Sequence, residues 1–363
     1  MEKIFENNHA EVAPPLGENE ECWYLPTFGV FHPQKPENIR VVFDSSAKHS
    51  GMSLNNALLK GPDLNNSLVG VLIRFRKEQV AAVADIQQMF HCFLVRSDHR
   101  NYLRFLWHRD NDMSKEIIDY RMRVHVFGNS PSPSVAIYGL RKAIQEGGHK
   151  YGHFYVDDGL ISVPTDKEAI SLLKRTQASL SDSNLRLHKF ASNSDTVLQA
   201  FAPEDRAVLK DLDLSGEAAP VQRSLGLLWV TTTDTFTFKA SEDRKPFTRR
   251  GVLSTVNSVF DPLGMLAPVT IEGKHLLREF CADKFEWDAP LPEEKRKRWE
   301  LWKDSLHDFK RLHIPRPYVP KSLSKAKHKE LCVFSDASVK AIGAVAYLRT
   351  VQVEGDVKVG FIL

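Results

Sequence analysis

Apolar and polar positions along the chain divide it into short elements. Gln79–Val80–Ala81–Ala82–Val83–Ala84 is almost continuously apolar, which suits a strand buried on both faces, and it ends at Asp85. His153–Phe154–Tyr155–Val156 is aromatic and β-branched, meets Asp157–Asp158–Gly159, and leaves as Leu160–Ile161–Ser162–Val163. That pattern predicts a β-hairpin turning at Asp-Asp-Gly. Tyr102–Trp107 and Ile117–Met122 predict two strands around a polar turn at 108–115. The breaker cluster Gly128–Asn129–Ser130–Pro131–Ser132–Pro133 opens a helix with Val135, Ala136, Leu140, Ala143 and Ile144 on one side, stopping at Gly147–Gly148. Thr165–Asp166–Lys167–Glu168 reads as a capping box before a helix carrying Ala169, Leu172, Leu173, Thr176 and Leu180. Strand, helix, strand pair, helix, hairpin and helix in that order, from about 79 to 181, predict an α+β domain.

The flanks are read the same way. Residues 1–21 are polar and are expected to be a flexible lead-in. Arg40–Val41–Val42–Phe43–Asp44 predicts a short strand after a turn at His32–Pro36. Thr231–Lys239 alternates Phe236 and Phe238 as a strand does, and Thr248–Phe260 predicts a helix stopped by Pro262. In 291–312, Trp299, Trp302, Leu306 and Phe309 fall at helical spacing, a core face rather than a base-stacking platform. Glu293 and Glu294 suit the start of that helix, and the basic run Lys295–Arg298 behind them suits a solvated face or a phosphate contact. Residues 314–330, with three Pro and four Lys, predict a linker, and 331–363 is expected to pack poorly in isolation.

Composition narrows the class. A chain of 363 residues has room for two or three domains, and its net charge of +3 excludes a uniformly basic nucleic-acid binder. The excess is local: residues 71–150 hold 13 Lys and Arg against 8 Asp and Glu, which suits a phosphate-facing surface or a solvated helix face. The four cysteines Cys22, Cys92, Cys281 and Cys332 are far apart, with neither zinc spacing nor a disulfide framework. No run of about 18 apolar residues exists to span a membrane. An intracellular, reducing setting is expected.

Two features point to chemistry. Adjacent Asp157 and Asp158 place like charges in one turn, which is unfavourable unless water or a cation screens them. Mg²⁺ favours such oxygen ligands; a solvated Asp-Gly turn would read the same. Asp85 sits where a buried strand delivers a group to a sheet edge, or where an N-cap would open the next helix. If the hairpin pairs with the Asp85 strand, carboxylates 72 residues apart meet at one edge, the layout of two-metal phosphoryl transfer.

In this order the blocks resemble the reverse transcriptase of BEL/Pao-type LTR retrotransposons. Tyr155–Val156–Asp157–Asp158 resembles the Tyr-x-Asp-Asp box, and Asp85 with Phe90 resembles the first palm acid and its aromatic gate. Arg40–Asp44 is similar to a fingers segment. Gly128 with Ser132–Pro133 is similar to the Gln-Gly-x-x-x-Ser-Pro box, except that Phe127 stands where many relatives have Gln. Leu187–Asn193 resembles the Lys-containing segment after the palm helix, and Leu225–Gly226 the primer-grip turn. Val333–Ser338 with Gly343–Ala346 resembles the first strands of an RNase H domain, Asp336 matching its first metal acid.

The resemblance implies a right-hand polymerase: fingers and palm over 22–200, palm end and primer grip over 201–245, helical thumb and connection over 246–313, the linker at 314–330 and a truncated RNase H-like start over 331–363. It implies RNA-directed DNA synthesis with RNA template, DNA primer and deoxynucleoside triphosphates as partners, within a Pol polyprotein beside other Pol and Gag parts, in the cytoplasm or in virus-like particles. Asp85, Asp157 and Asp158, with the Ile86 carbonyl, would hold two Mg²⁺ ions, or Mn²⁺. Arg40 and Lys35 would bind the triphosphate, Phe90 would exclude a 2′-hydroxyl, and Gly128 would let backbone approach the nucleic acid. Lys189 would protonate pyrophosphate, unless it is simply solvated, and Phe90 reads equally as a core residue on the helix after Asp85. Tyr155, Ser132, Pro133, Leu225 and Gly226 would face primer or template. With Asp336 as the lone RNase H acid, no RNase H activity is expected. A remnant that binds nucleic acid without catalysis is the alternative. An aspartic peptidase is a further one, but Asp44–Ser45–Ser46 and Asp234–Thr235–Phe236 both lack the Gly its turn needs.

Overall fold

Val80–Ile86 forms a strand because its small and β-branched residues can be covered on both faces, and Ala81, Ala82, Val83 and Ala84 are all buried. The computed structural model describes residues 1–32, 35–148, 151–208, 210–213, 218–240, 245–282, 286–320 and 322–363. They form two units. One comprises Met1–Asn65, Ile86–Tyr151 and Arg175–Leu187; the other comprises Asn66–Asp85, Gly152–Lys174 and His188–Leu363. The units interleave along the chain, so they do not follow the consecutive blocks expected from the sequence. Strands that pair are drawn from distant segments, and sheet partners rather than chain order decide membership.

The first unit is built on a three-stranded sheet in which Ile117–Met122 lies between Ala10–Val12 and Arg104–His108. Residues 1–21 therefore are not a free lead-in: Glu2–Glu6 is helical and Ala10–Val12 is a paired strand. Glu11 anchors it by accepting from Arg100 and Arg121. Phe43, Leu103, Phe105, Tyr120, Met122 and Val126 fill this unit's core. Thr27–His32 and Lys35–Phe43 form a long hairpin, so the strand at Arg40–Asp44 extends further back than expected; its turn falls partly on residues 33 and 34, outside the described residues. The helix Ser132–Glu146 buries Ala136, Ile137, Leu140, Ala143 and Ile144, close to the periodic face read from sequence.

The second unit holds a four-stranded sheet in the order Phe154–Tyr155, Asp158–Val163, Val80–Ile86, Leu187–Ser192. The helix Leu68–Phe75 packs Val71, Leu72 and Phe75 into a core shared with Trp229, Phe236 and Phe280. Helices Arg249–Val256, Ala267–Ala282 and Glu293–Ser305 belong to the same core. Trp299 and Trp302 are buried in it, and the Trp302 ring lies over Gly273, where a Cβ would come within 2.1 Å of it. The basic run is tied up in surface pairs, Arg296 with Glu293 and Arg298 with Glu272 and Glu279.

The expected linker at 314–330 is instead packed. Ile314–Pro315 pairs with Thr235–Thr237, and Arg316, Tyr318, Val319 and Leu323 are buried. Its Pro and Lys content marks a segment whose only helical element among the described residues is the short 3-10 turn Leu323–Lys325, not one without partners. Ala326–Ala337, Ile342–Gln352 and Val357–Phe361 then form an antiparallel sheet that leaves Leu331, Val333, Phe334 and Val359 exposed. Among the described residues no helix is long and apolar enough to cross a membrane.

Candidate active site

The hairpin sets the geometry. Tyr155 pairs with Asp158, so the loop is the two residues Val156 and Asp157 rather than Asp-Asp-Gly. Val156 takes φ +54°, a costly position for a β-branched residue. Gly159, expected to serve the turn, lies in the strand instead. A Cβ there would come 3.0 Å from the Phe154 ring, so its role is close approach.

This register brings the acids together. Asp158 lies directly opposite Asp85 across the antiparallel pair, and Asp157 occupies the loop beside them. Asp85 lies inside the Val80–Ile86 strand, and Gln88 rather than Asp85 precedes the short 3-10 turn Met89–Cys92, so the N-cap alternative does not hold. Ile86 ends the same strand.

Electrostatics follow from this crowding. Burial, then the Asp157 and Asp85 charges, push Asp158 up to about 7 against the pull of Lys189. Burial also raises Asp157, and Asp85 adds to it. The ammonium of Lys189 donates to Asp85 Oδ2, so Lys189 is engaged with the acid cluster rather than merely solvated. Its backbone at φ +53° departs from ordinary strand geometry.

Among the described residues no group of three or more His, Cys, Asp or Glu side chains is arranged to hold a metal ion. The donor chemistry nevertheless fits a divalent cation. Three hard carboxylates lie near one strand end, where like charges repel, and the Lys189 ammonium pairs with Asp85. Asp85, Asp157 and Asp158 supply the carboxylate chemistry that would suit such an ion, though their present arrangement does not enclose one.

The remaining candidates are placed as follows. Tyr155 is half-buried against the second unit's core, as is Leu225. Leu225 and Gly226, at φ +49° and +84°, form the tight turn between Ala218–Ser224 and Leu227–Val230. In the first unit Arg40 is exposed, opposite Val30 across its hairpin. Lys35 begins that strand; its side chain lies outside the described residues. Phe90 is half-buried and meets Phe127 edge-on. Gly128 adopts φ +105°, and Ser132 and Pro133 open the Ser132–Glu146 helix, Ser132 fully buried beside His125. Asp336 is exposed near the end of its strand and accepts from the Ala337 N–H.

Asn55 was missed in the sequence. Its amide donates to the Gly128 carbonyl and accepts from the Ser130 N–H, at 2.9 and 2.8 Å. The capping box of Ser53 and Asn56 signals the short helix that carries Asn55, but not its reach across 73 residues. The two peptidase-like aspartates are committed elsewhere. Asp44 accepts from the Ser46 and Ala47 N–H groups, and Asp234 is held by Arg316 and Trp229.

The fold resembles that of solved foamy viral protease-reverse transcriptases. The chain is similar to the foamy viral protease-reverse transcriptase dRH in complex with ds DNA, at TM-score 0.60 and 12% identity, covering 99% of this chain and 54% of that one. It is similar to the foamy viral protease-reverse transcriptase in complex with RNA/DNA hybrid, at TM-score 0.58 and 12% identity, covering 99% and 42%. A third complex, with dsDNA, gives TM-score 0.58 and 13% identity over 99% and 64%. The chain thus spans about half the length of the first of these, and at such identities the likeness is one of fold. Residues 248–363 match the family described as a Pao retrotransposon-like RNaseH-like domain. That match begins within the helices read from sequence as thumb and connection. The family match is confined to the C-terminal third of the chain, and the structural likeness spans 99% of it. No curated protein matches the chain.

Proposed function

We propose that the chain is an RNA-directed DNA polymerase, extending a DNA primer on an RNA template. One observation carries the reading: Asp85 and Asp158 face each other across a strand pair, with Asp157 in the adjoining loop. The order of the resembling blocks and the fold likeness support it. Asp85 and Asp157, assisted by Asp158 and the Ile86 carbonyl, bind the metals. Two Mg²⁺ ions, or Mn²⁺, supply activation of the primer 3′-hydroxyl and neutralisation of the leaving pyrophosphate. Lys189, which donates to Asp85, would give a proton to the leaving group. Arg40 and Lys35 bind the triphosphate, a guanidinium suiting bidentate contact. Phe90 bounds the sugar, and Gly128, Tyr155, Ser132, Pro133, Leu225 and Gly226 support primer and template. The partners are RNA, DNA, deoxynucleoside triphosphates and neighbouring Pol and Gag parts, in an intracellular setting.

The test is extension of a labelled DNA primer on an RNA template, with Mg²⁺ and after chelation. Extension that needs the metal supports the reading. Hybrid binding without extension under Mg²⁺ or Mn²⁺ makes the chain a non-catalytic nucleic-acid binder instead.

A further inference from the structure

Phe127 is a departure from the resembling box, and the first unit gives it a distinct environment. Its ring is 67% exposed, so burial does not account for a phenyl group there. It meets the Phe90 ring at 5.6 Å and 73°, an edge-to-face pair.

The loop that carries Phe127 and the turn that carries Phe90 are each fixed nearby. Behind Phe127, Asn55 clamps the loop by bonding the Gly128 carbonyl and the Ser130 N–H, and Asn129 accepts from Ser45 in a buried contact. Gly128 at φ +105° lets the backbone turn there without strain. Behind Phe90, Phe93, which follows the same 3-10 turn, lies on Gly139, where a Cβ would come within 2.1 Å of its ring. A glycine in the middle of the Ser132–Glu146 helix weakens that helix, and the room it leaves for Phe93 accounts for it.

We propose that Phe127 is a positioning residue that holds the Phe90 ring in place and thereby sets how strongly ribonucleotides are rejected. The inference rests on the polymerase reading and deepens it. A phenyl edge offers no hydrogen bond to a sugar hydroxyl, so a wall of two rings discriminates by shape. Its sharpness depends on whether Phe90 can turn away. Without Phe127 the Phe90 side chain gains an open direction, and a 2′-hydroxyl meets a yielding surface.

The experiment is single-nucleotide incorporation by the parent, Phe127→Ala and Phe127→Tyr, each with a deoxynucleotide and its ribonucleotide. Phe127→Ala is expected to raise the ribo-to-deoxy ratio of kcat/KM by roughly three- to tenfold, the range set by losing an edge-to-face pair. The change is expected mainly in the KM for the ribonucleotide, with the melting temperature unchanged because the ring is exposed. Phe127→Tyr, which keeps the ring, is expected to retain the parental ratio. A parental ratio in Phe127→Ala overturns the inference and leaves the polymerase reading standing. So does an equal loss with both nucleotides. A parent that extends with neither nucleotide defeats the polymerase reading and this inference with it.

Discussion

Two charged clusters in the second unit follow opposite rules. At the end of the Val80–Ile86 strand, three carboxylates crowd together with one ammonium group, and two of them have raised pKa values. Near the start of that strand, Arg316 is wholly buried and fully engaged. Its guanidinium grips Asp234 through both carboxylate oxygens at 2.7 and 2.8 Å, and donates to the carbonyls of Phe75, Glu78 and Gln79. Arg76 adds a bond to the Arg316 carbonyl and another to that of Ile362. The arginine cluster holds together chain segments as far apart as Arg76 and Ile362, 286 positions in sequence. Among the described residues the acid cluster has a single ion pair, Lys189 with Asp85, and adjoins a hairpin whose Val156 takes φ +54°. A site whose charges repel unless a ligand arrives is arranged for binding, whereas one that is internally satisfied is arranged for stability.

Variants at the two clusters should therefore separate rate from stability. Asp85→Asn removes a proposed metal ligand, and primer extension should fall by roughly 10³-fold, on the order of 4 kcal/mol of transition-state stabilisation. Circular dichroism should show the fold retained. Arg316→Met leaves the part-buried Asp234 without its cation and the carbonyls of Phe75, Glu78 and Gln79 without their donor, and should cost about 3–5 kcal/mol in denaturant unfolding. A melting curve unaltered by Arg316→Met would remove the contrast between the clusters.

Asp158→Asn should move stability the other way. Its folded pKa of about 7 lies above the unfolded value near 3.8, so the folded chain binds that proton more tightly. The favourable contribution is complete below about pH 4 and is lost as pH rises through about 7. In metal-free buffer Asp158→Asn should therefore raise the unfolding free energy at pH 8 by up to a few kcal/mol and change little at pH 4. The smallest effect belongs to the basic helix face. Arg298→Ala breaks only exposed pairs with Glu272 and Glu279, and calorimetry should show a change of about 1 kcal/mol or less.

The same contrast explains what was legible in the sequence. The acid cluster could be read because each part is local: an apolar strand ending in Asp85, an aromatic hairpin, and a capping box in which Thr165 accepts from the Glu168 N–H. Even there the loop register was missed, because an Asp-Asp-Gly turn is locally more comfortable than a Val at φ +54°. Pairing of Asp158 with Asp85 outweighed that preference. The arginine cluster was invisible for the opposite reason. Arg316 lies between two prolines in a stretch with the composition of a linker, and every partner that buries it is distant in sequence. The strand at Ala10–Val12 was hidden likewise, since its stability comes from Met122, Arg121 and Tyr120 across the sheet.

The central claim is that the hairpin acids make DNA rather than merely crowd a turn. Primer extension on an RNA template by Asp157→Asn beside the parent, with melting temperatures matched, tests it most directly. The account predicts a folded variant that binds hybrid and extends at least roughly 10²-fold more slowly than the parent in Mg²⁺. Parental extension by that folded variant would contradict it.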